Sequence, residues 1–297
     1  MGIKLLFISL LILIGAGLGV KEYNNSLLAP QQSSRFNLVL IRPEEEISLI
    51  SWDPVEHSMT AWTFPAGASI RGRNSGLYEV GSLYQLGSYD GKGGMFARQK
   101  IQGFLRVPVA GFLVVGEGGE NVRGNLWRGL AFSWGEKQTN LSLIDRVLLW
   151  VRMNYSFRQV EKGELVRAGV IEESGGKVQY RFDRLQEYVG SRLFDWQLGS
   201  EAIAVAVINA SGKDGLGSDV ADYLSNWGLD VVMVRTANNT EMQEKSSWQI
   251  GSTKDAKKLN YVFSQLLSLG EARIAPVPVE YRATVLLTVG ADAEELF

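Results

Sequence analysis

Hydrophobic residues follow three different patterns along the chain, and each pattern predicts a different kind of structure. Residues 5–20 read LLFISLLILIGAGLGV, an uncharged apolar run without the polar face of a surface helix. From residue 36, short apolar runs separated by turn residues predict a series of strands. From residue 200, apolar runs alternate with amphipathic stretches, which is typical of a small α/β domain.

The first apolar run predicts a signal anchor. With Gly2 and Ile3 it approaches the roughly 20 residues that span a bilayer. Lys4 and the initiator amine precede it, which favours an N-terminus on the inside. We therefore expect a single pass through the cytoplasmic membrane by residues 3–20, with the bulk of the chain extracytoplasmic. A cleaved signal peptide and a buried core helix are the alternatives.

The chain divides into four predicted segments, and the expected fold class is α/β. A membrane anchor helix occupies residues 1–21, and a polar linker that acts as a tether occupies 22–35. A mixed-sheet α/β domain spans 36–199, and a small domain in βαβαβ order spans 200–297. Helices are predicted at 76–86, 95–105, 141–155, 182–193, 216–227 and 256–269, and a strand buried on both faces at 109–115.

Composition excludes several classes of function. The chain has 30 Lys and Arg against 32 Asp and Glu, a net charge of −2, so there is no basic excess to bind nucleic acid. It has 0 cysteines and 1 histidine, His57, which excludes thiol nucleophiles and leaves no ligand set for zinc. The absence of cysteine also fits an extracytoplasmic chain whose core needs no disulfides.

A glycine-rich turn, INASGKDGLGSDVA, lies at residues 208–221. A P-loop would carry Ser or Thr after its lysine, whereas this chain has Asp214 there, an anion where a phosphate would bind. A dinucleotide fingerprint would carry its third glycine where Val220 stands. We therefore expect no nucleotide here, and interpret the turn as a strand-to-helix corner in which Gly212 and Gly215 adopt positive φ.

The same stretch resembles the LytR C-terminal domain. That domain has an apolar strand, an Asn-Gly-(Ser/Thr)-Gly turn, Gly-Leu-Ala, a helix and a second strand. Residues 209–212 read NASG and residues 215–217 read GLG, and the resemblance extends over about 202–289. It implies an extracytoplasmic accessory domain without catalytic residues, which usually follows a LytR-CpsA-Psr (LCP) catalytic domain.

Residues 36–115 are similar to that LCP domain in the order of their elements. FNLVLI resembles its first strand, ISLISWDPVEHSMTAWTFP its second and third, and ARQKIQGFLRVPVAGFLVV a helix and the strand after it. The family transfers glycopolymers from polyprenyl-pyrophosphate carriers to the cell wall. An Arg and Asp cluster holds magnesium and the pyrophosphate over an apolar slot for the lipid. The resemblance implies a polyprenyl phosphate lipid or a cell-wall glycopolymer as partner.

The family's charged cluster is not recognisable in this chain. The first strand continues through RPEEE, which is too short for the family's acidic and Arg-bearing loop, and Pro65, Ala66 and Gly67 stand where the family has Pro-Arg-Asp. We therefore predict a binding or scaffolding protein without a resident cofactor. The alternative is an active glycopolymer phosphotransferase that uses magnesium and displaced charges. The candidate residues are Arg71, Arg73 and Arg98 for catalysis, Glu44 for the metal, and Arg42 as a further charge.

Two other catalytic arrangements have the right residue types without a spacing that brings them together. His57, Ser58 and Asp53 lie within one turn between strands, where a triad geometry is not expected. Asp145 could pair with an acid at 172–173, but nothing in the sequence places the two carboxylates face to face.

Tryptophans are numerous in the middle of the chain. They can serve buried packing, or they can form a platform on which a sugar ring stacks. The residues concerned are Trp127, Trp134, Trp150 and Trp196.

Overall fold

The computed structural model describes most of the chain after residue 20. The described ranges are 21–23, 26–28, 35–43, 45–72, 76–116, 121–174, 177–251 and 272–296. The predicted anchor at 3–20 and the predicted helix at 256–269 lie outside them. Within these ranges, no helix has both the length and the apolar character needed to cross a bilayer.

Fourteen strands and eight α-helices are described. The strands are β1 Phe36–Arg42, β2 Glu46–Asp53, β3 Ser58–Pro65, β4 Ser69–Gly72, β5 Gly76–Glu79, β6 Gly111–Val114, β7 Ser156–Val160, β8 Ile171–Ser174, β9 Lys177–Tyr180, β10 Ala204–Asn209, β11 Asp230–Thr236, β12 Ser247–Ile250, β13 Ala272–Ile274 and β14 Val285–Val289. The helices are α1 Leu83–Ser88, α2 Gly93–Leu105, α3 Val122–Phe132, α4 Leu143–Arg152, α5 Lys162–Arg167, α6 Phe182–Arg192, α7 Trp196–Ser200 and α8 Leu216–Trp227.

The first domain is built on a mixed sheet with the order β6-β1-β2-β3-β7. β1, β2 and β3 form an antiparallel meander, and β6 and β7 are parallel to their neighbours. Side chains alternate across β1, so that Val39 packs with α2 while Leu38 and Leu40 pack with α3 and α4. β6 is buried along its whole length, as predicted for the strand at 109–115, because helices cover both faces of the sheet.

A second sheet, with the order β5-β4-β9-β8, corrects one helix prediction. Residues 76–79, expected at the start of a helix, form β5 and pair antiparallel with β4. The helix begins only at Leu83. The apolar spacing of this stretch fits a helix, but the neighbouring strand supplies backbone partners that the sequence pattern does not reveal.

The C-terminal sheet has the order β11-β10-β14-β12-β13. β10 lies in its centre, parallel to both β11 and β14. α8 occupies the predicted residues because a glycine with positive φ lies at each of its ends. These are Gly215 (φ 76°) and Gly228 (φ 108°). β12 and β13 were not predicted, and β12 is antiparallel to β14. The complete βαβαβ order stays a prediction.

The linker predicted at 22–35 is not a free tether where the structure describes it. Leu28 is fully buried and belongs to the same core as Phe36. At its end, Arg35 is buried and donates hydrogen bonds to Ser51 Oγ (3.0 Å) and to the Phe194 carbonyl (3.2 Å), and it forms an ion pair with Asp53.

The two domains meet in one continuous core and at a set of polar contacts. Arg35 N–H donates to Asp195 Oδ2 (2.8 Å), and Asp195 Oδ1 accepts from the Leu198 N–H (3.0 Å), just before the second domain begins. Arg106, which follows α2, forms ion pairs with Asp219 and Asp222 of α8. The domains are therefore packed together rather than joined by a flexible hinge.

Substitution of Gly228 should destabilise this junction. A Cβ on Gly228 would lie 2.7 Å from the Asp195 carbonyl oxygen and 3.0 Å from the Gly199 nitrogen. Gly228→Ala should cost about 1–2 kcal/mol for the left-handed backbone and about 1–3 kcal/mol more for overpacking. The measurement is urea unfolding.

The matched control is Gly91→Ala, because Gly91 also has positive φ (71°) but open space around its Cβ position. It should show only the backbone cost. Equal losses in the two variants would contradict the close packing assigned to Gly228.

Candidate functional site

The turn after β3, where the family resemblance places a charged pair, is closed by backbone contacts. Ala66 N–H donates to the Glu45 carbonyl (2.9 Å), and Gly81 N–H donates to the Ala66 carbonyl (3.0 Å). A Cβ on Gly81 would lie only 2.9 Å from the Ala66 Cβ, so residues 66 and 81 are both small where the two segments touch. The three residues of the turn carry no charge.

Arg98 is buried in a structural role. It is 6% exposed, and its Nη1 donates to the carbonyls of Val109 (2.9 Å) and Ala110 (3.4 Å), just before β6. Burial lowers the pKa of the Arg98 guanidinium, and the nearby Tyr223 phenol opposes that shift. These hydrogen bonds go to backbone carbonyls rather than to a carboxylate, which fits a residue that fixes α2 to the sheet.

The other candidate charges are not gathered around Arg98 in the described structure. Arg42 forms ion pairs with Glu45 and with Glu46 (2.9 Å), inside the β1–β2 hairpin. Arg71 lies in β4, and its side chain is outside the description. Arg73 and Glu44 are outside the described residues. Among the residues that are described, no group of three or more histidine or acidic side chains is placed to hold a metal ion.

The histidine and its neighbours do not form a triad. The Asp53 side chain pairs with Arg35 and accepts the Val55 and Glu56 N–H groups. The His57 ring lies against Trp52 and Tyr155, with centroids 6.2 and 5.6 Å away. The Asp53 carboxylate therefore binds Arg35 and the backbone of the turn, and it does not orient His57.

Asp145 is also used structurally, at the start of α4. Its Oδ1 accepts from Ser26 Oγ (2.6 Å) and from the Leu28 N–H (2.8 Å), and its Oδ2 accepts from the Leu27 N–H (3.1 Å). Oδ2 also accepts from Ser142 Oγ (2.8 Å) and N–H (3.0 Å), and Ser142 Oγ accepts from the Asp145 N–H, which completes a capping box. One buried carboxylate thus caps α4 and holds residues 26–28.

Three tryptophans of the middle segment are about half exposed or more, namely Trp127, Trp134 and Trp150. The Trp196 side chain is outside the description. By contrast, Trp52 and Trp62 are buried in the two cores. Large aromatic side chains that are exposed together on one region of a surface mark an interaction site.

Trp127 of α3 and Trp150 of α4 line one cavity of about 360 Å³, which we call the Trp127–Trp150 cleft. The remaining lining residues are Asn121, Arg123, Gly124, Met153 and Asn154.

Two contacts hold the walls of this cleft in place. Asn121 Oδ1 accepts from the Gly124 N–H (2.7 Å) and caps α3. Arg123 Nη2 donates to the Met153 carbonyl (2.8 Å), which ties the start of α3 to the end of α4. Aromatic walls beside amide and guanidinium groups provide stacking and directional hydrogen bonds together, the combination that a sugar ring requires.

A second cavity of about 350 Å³ lies at the other end of α4. It is lined by Glu22, Trp134 and Arg146 among others. The Arg146 guanidinium lies 4.1 Å above the Trp134 ring, and its Nε donates to the Leu130 carbonyl (2.6 Å).

The glycine-rich turn of the second domain is held by its own side chains. Asn209 Oδ1 accepts from Ser211 Oγ (2.5 Å), and Asn209 Nδ2 donates to the Lys213 carbonyl (2.9 Å). Gly212 (φ 70°) and Gly215 (φ 76°) adopt the predicted positive φ. Lys213 Nζ lies 3.4 Å from Glu294 Oε2, so the lysine of the turn faces an acid.

The family model described as "LytR cell envelope-related transcriptional attenuator" matches residues 202–292. Residues 202–292 are therefore similar to a LytR C-terminal domain. The matched residues begin two residues before β10 and contain β10 to β14 with α8. No curated protein matches the chain.

Comparison with solved structures finds proteins of the LytR-CPS2A-psr family. One is YwtF (TagT) of Bacillus subtilis with bound octaprenyl pyrophosphate lipid, at 12% identity and a TM-score of 0.36, covering 52% of this chain and 88% of that one. Another is TagV of B. subtilis, at 10% identity and a TM-score of 0.35, covering 52% and 94%.

Replacing the buried carboxylate of Asp145 should release residues 26–28 from α4. Asp145→Asn places an N–H₂ group among hydrogen-bond donors, so the variant should lose about 2–4 kcal/mol of stability. Limited proteolysis should then cut faster between residues 22 and 35. Asp183→Asn is the control, because that carboxylate is also in the first turn of a helix but is 71% exposed; it should change little. Unaltered proteolysis of Asp145→Asn would show that residues 26–28 are held by other contacts.

Proposed function

We propose that this protein is an extracytoplasmic cell-envelope protein, anchored in the cytoplasmic membrane by residues 3–20, that binds a wall glycopolymer or its polyprenyl carrier without transferring it. The observation that carries the proposal is the Trp127–Trp150 cleft, an exposed aromatic site with polar groups at its edge. The LytR C-terminal domain supports a place in the envelope.

We propose that no phosphoryl transfer takes place, and the contacts made by the charged side chains support this. Phosphoryl transfer depends on cations and acids that face the reacting phosphate. In the described structure Arg98 is buried against backbone carbonyls, Arg42 pairs within its hairpin, and the turn at 65–67 is uncharged. Arg98 and Arg42 are therefore used in contacts within the fold.

The class of ligand is supported by the chemistry of the cleft. Trp127 and Trp150 supply aromatic rings for the apolar face of a sugar, while Asn121 and Asn154 supply amides for its hydroxyl groups. A cavity of about 360 Å³ is at the small end of the range for ligand sites, which fits one or two sugar units of a longer polymer.

A transfer assay separates binding from catalysis. The full chain in detergent is incubated with a polyprenyl-pyrophosphate-linked glycopolymer and a wall acceptor, with magnesium or with EDTA. We expect intact lipid-linked polymer under both conditions, and the same amount bound in each. Polymer transferred to the acceptor only with magnesium, and lost in Arg71→Gln or Arg73→Gln, would establish the phosphotransferase instead.

Binding should depend on the two tryptophans. Trp127→Ala and Trp150→Ala should each weaken the affinity for purified wall glycopolymer about tenfold, which corresponds to about 1.4 kcal/mol, measured by isothermal titration calorimetry. Tyr89→Ala is the control, since Tyr89 is an aromatic residue 88% exposed and outside the cleft. If all three variants bound the polymer as the unchanged chain does, the cleft would not be the glycan site.

A further inference from the structure

The outward side of α4 is an apolar surface without a partner among the described residues. Leu143, Val147, Trp150 and Val151 are each about half exposed. At about 100° per residue they fall within one arc of roughly 100°. The opposite side of the helix carries Leu149, which is fully buried in the core. α4 is thus apolar on two sides, although only one side faces the protein.

The neighbouring segments extend this apolar surface. Phe132, at the end of α3, is 67% exposed, and Trp134 follows two residues later with 62% exposed. We call these six residues, Phe132, Trp134, Leu143, Val147, Trp150 and Val151, the α3–α4 surface. An exposed apolar surface of this kind marks an interaction site. The residues around it indicate the chemistry of the partner.

The chain leading out of residues 3–20 reaches α4 directly. Lys21 follows the apolar run, and Glu22 Oε2 accepts from the Leu143 N–H (3.0 Å) at the first residue of α4. Residues 26–28, which begin four residues after Glu22, are held by Asp145 of the same helix. Glu22, two residues after the run in the sequence, therefore lies at the start of α4.

The charge of this region suits a membrane surface. Residues 121–154 carry five basic side chains against two acidic ones, a net charge of +3, whereas the whole chain carries −2. Arg123, Arg128 and Lys137 are exposed. Exposed tryptophans, aliphatic residues and peripheral cations together are the composition of a segment that lies in the interface of a bilayer containing anionic lipid.

We propose that the α3–α4 surface lies on the outer face of the cytoplasmic membrane, so that the first domain rests on the bilayer instead of extending from it. The bilayer is the occupant that the geometry favours, because Glu22 and Asp145 bring the end of the apolar run to this helix. The proposal rests on the membrane anchoring proposed above. It also places the Trp127–Trp150 cleft, which shares Trp150, beside the lipid headgroups.

The absence of cysteine from the chain permits a direct test. Single-cysteine variants Phe132→Cys and Val147→Cys of the full chain are labelled with a small fluorophore and reconstituted in nanodiscs of phosphatidylcholine and phosphatidylglycerol. The nanodiscs carry a nitroxide at the top of the acyl chain. Tyr89→Cys and Val279→Cys are the controls, because these residues are 88% and 91% exposed and lie outside the α3–α4 surface. We expect roughly threefold or greater excess quenching at residues 132 and 147 over both controls.

A label at Tyr23→Cys distinguishes failure of this inference from failure of the anchor, because Tyr23 lies three residues after the run and is half exposed. Quenching at residue 23 with none at 132 and 147 would overturn the inference while the anchor stands. Lack of quenching at all three would overturn the anchor and the inference together. If residues 132 and 147 were shielded from aqueous iodide but not quenched by lipid, the surface would be covered by protein, either the apolar run or a second copy, and the inference would again be overturned.

Discussion

Buried Arg35, held by Asp53 on one side and Asp195 on the other, joins the start of the first sheet to the segment that leads into the second domain. Arg35 precedes β1, Asp53 ends β2, and the Arg35 backbone N–H reaches Asp195, just before α7. Burial lowers the pKa of Arg35, and Asp53, Asp195 and Glu56 oppose that shift. A buried cation of this kind is tolerated only while its partners stay in place. The start of the first sheet and the passage into the second domain are therefore fixed by the same residue, one through its side chain and the other through its backbone N–H.

The parts of the fold that the sequence predicts well are those governed by local rules. α8 is bounded by two glycines of positive φ, and the predicted helix at 182–193 agrees with α6 to within one residue. The parts that it misses depend on distant partners. β5 forms because β4 lies beside it, and Leu28 is buried because Asp145, more than a hundred residues away, accepts its N–H. A polar composition at 22–35 gives no indication of that contact.

The candidate site shows the same division between local and distant information. Arg98 lies on the row of α2 that also contains Ile101, Gln102 and Leu105, all buried, so helical periodicity could have identified it as an interior residue. Ser142 and Asp145 have the spacing of a capping box, which could have identified Asp145 as a cap before it was considered as half of a carboxylate pair. The cleft could not have been found this way, because Trp127 and Trp150 meet only when α3 packs beside α4.

The hydrogen bonds of Asp145 have a mechanical consequence. A pull on the chain from its N-terminal side meets the Glu22 contact to the Leu143 N–H and then residues 26–28, which are held by three hydrogen bonds to one buried carboxylate. The load therefore enters the fold at the start of α4 and passes through the helix into the core. β1, which is the next strand along the chain and lies between β6 and β2 in the first sheet, is shielded from that force as long as the carboxylate holds.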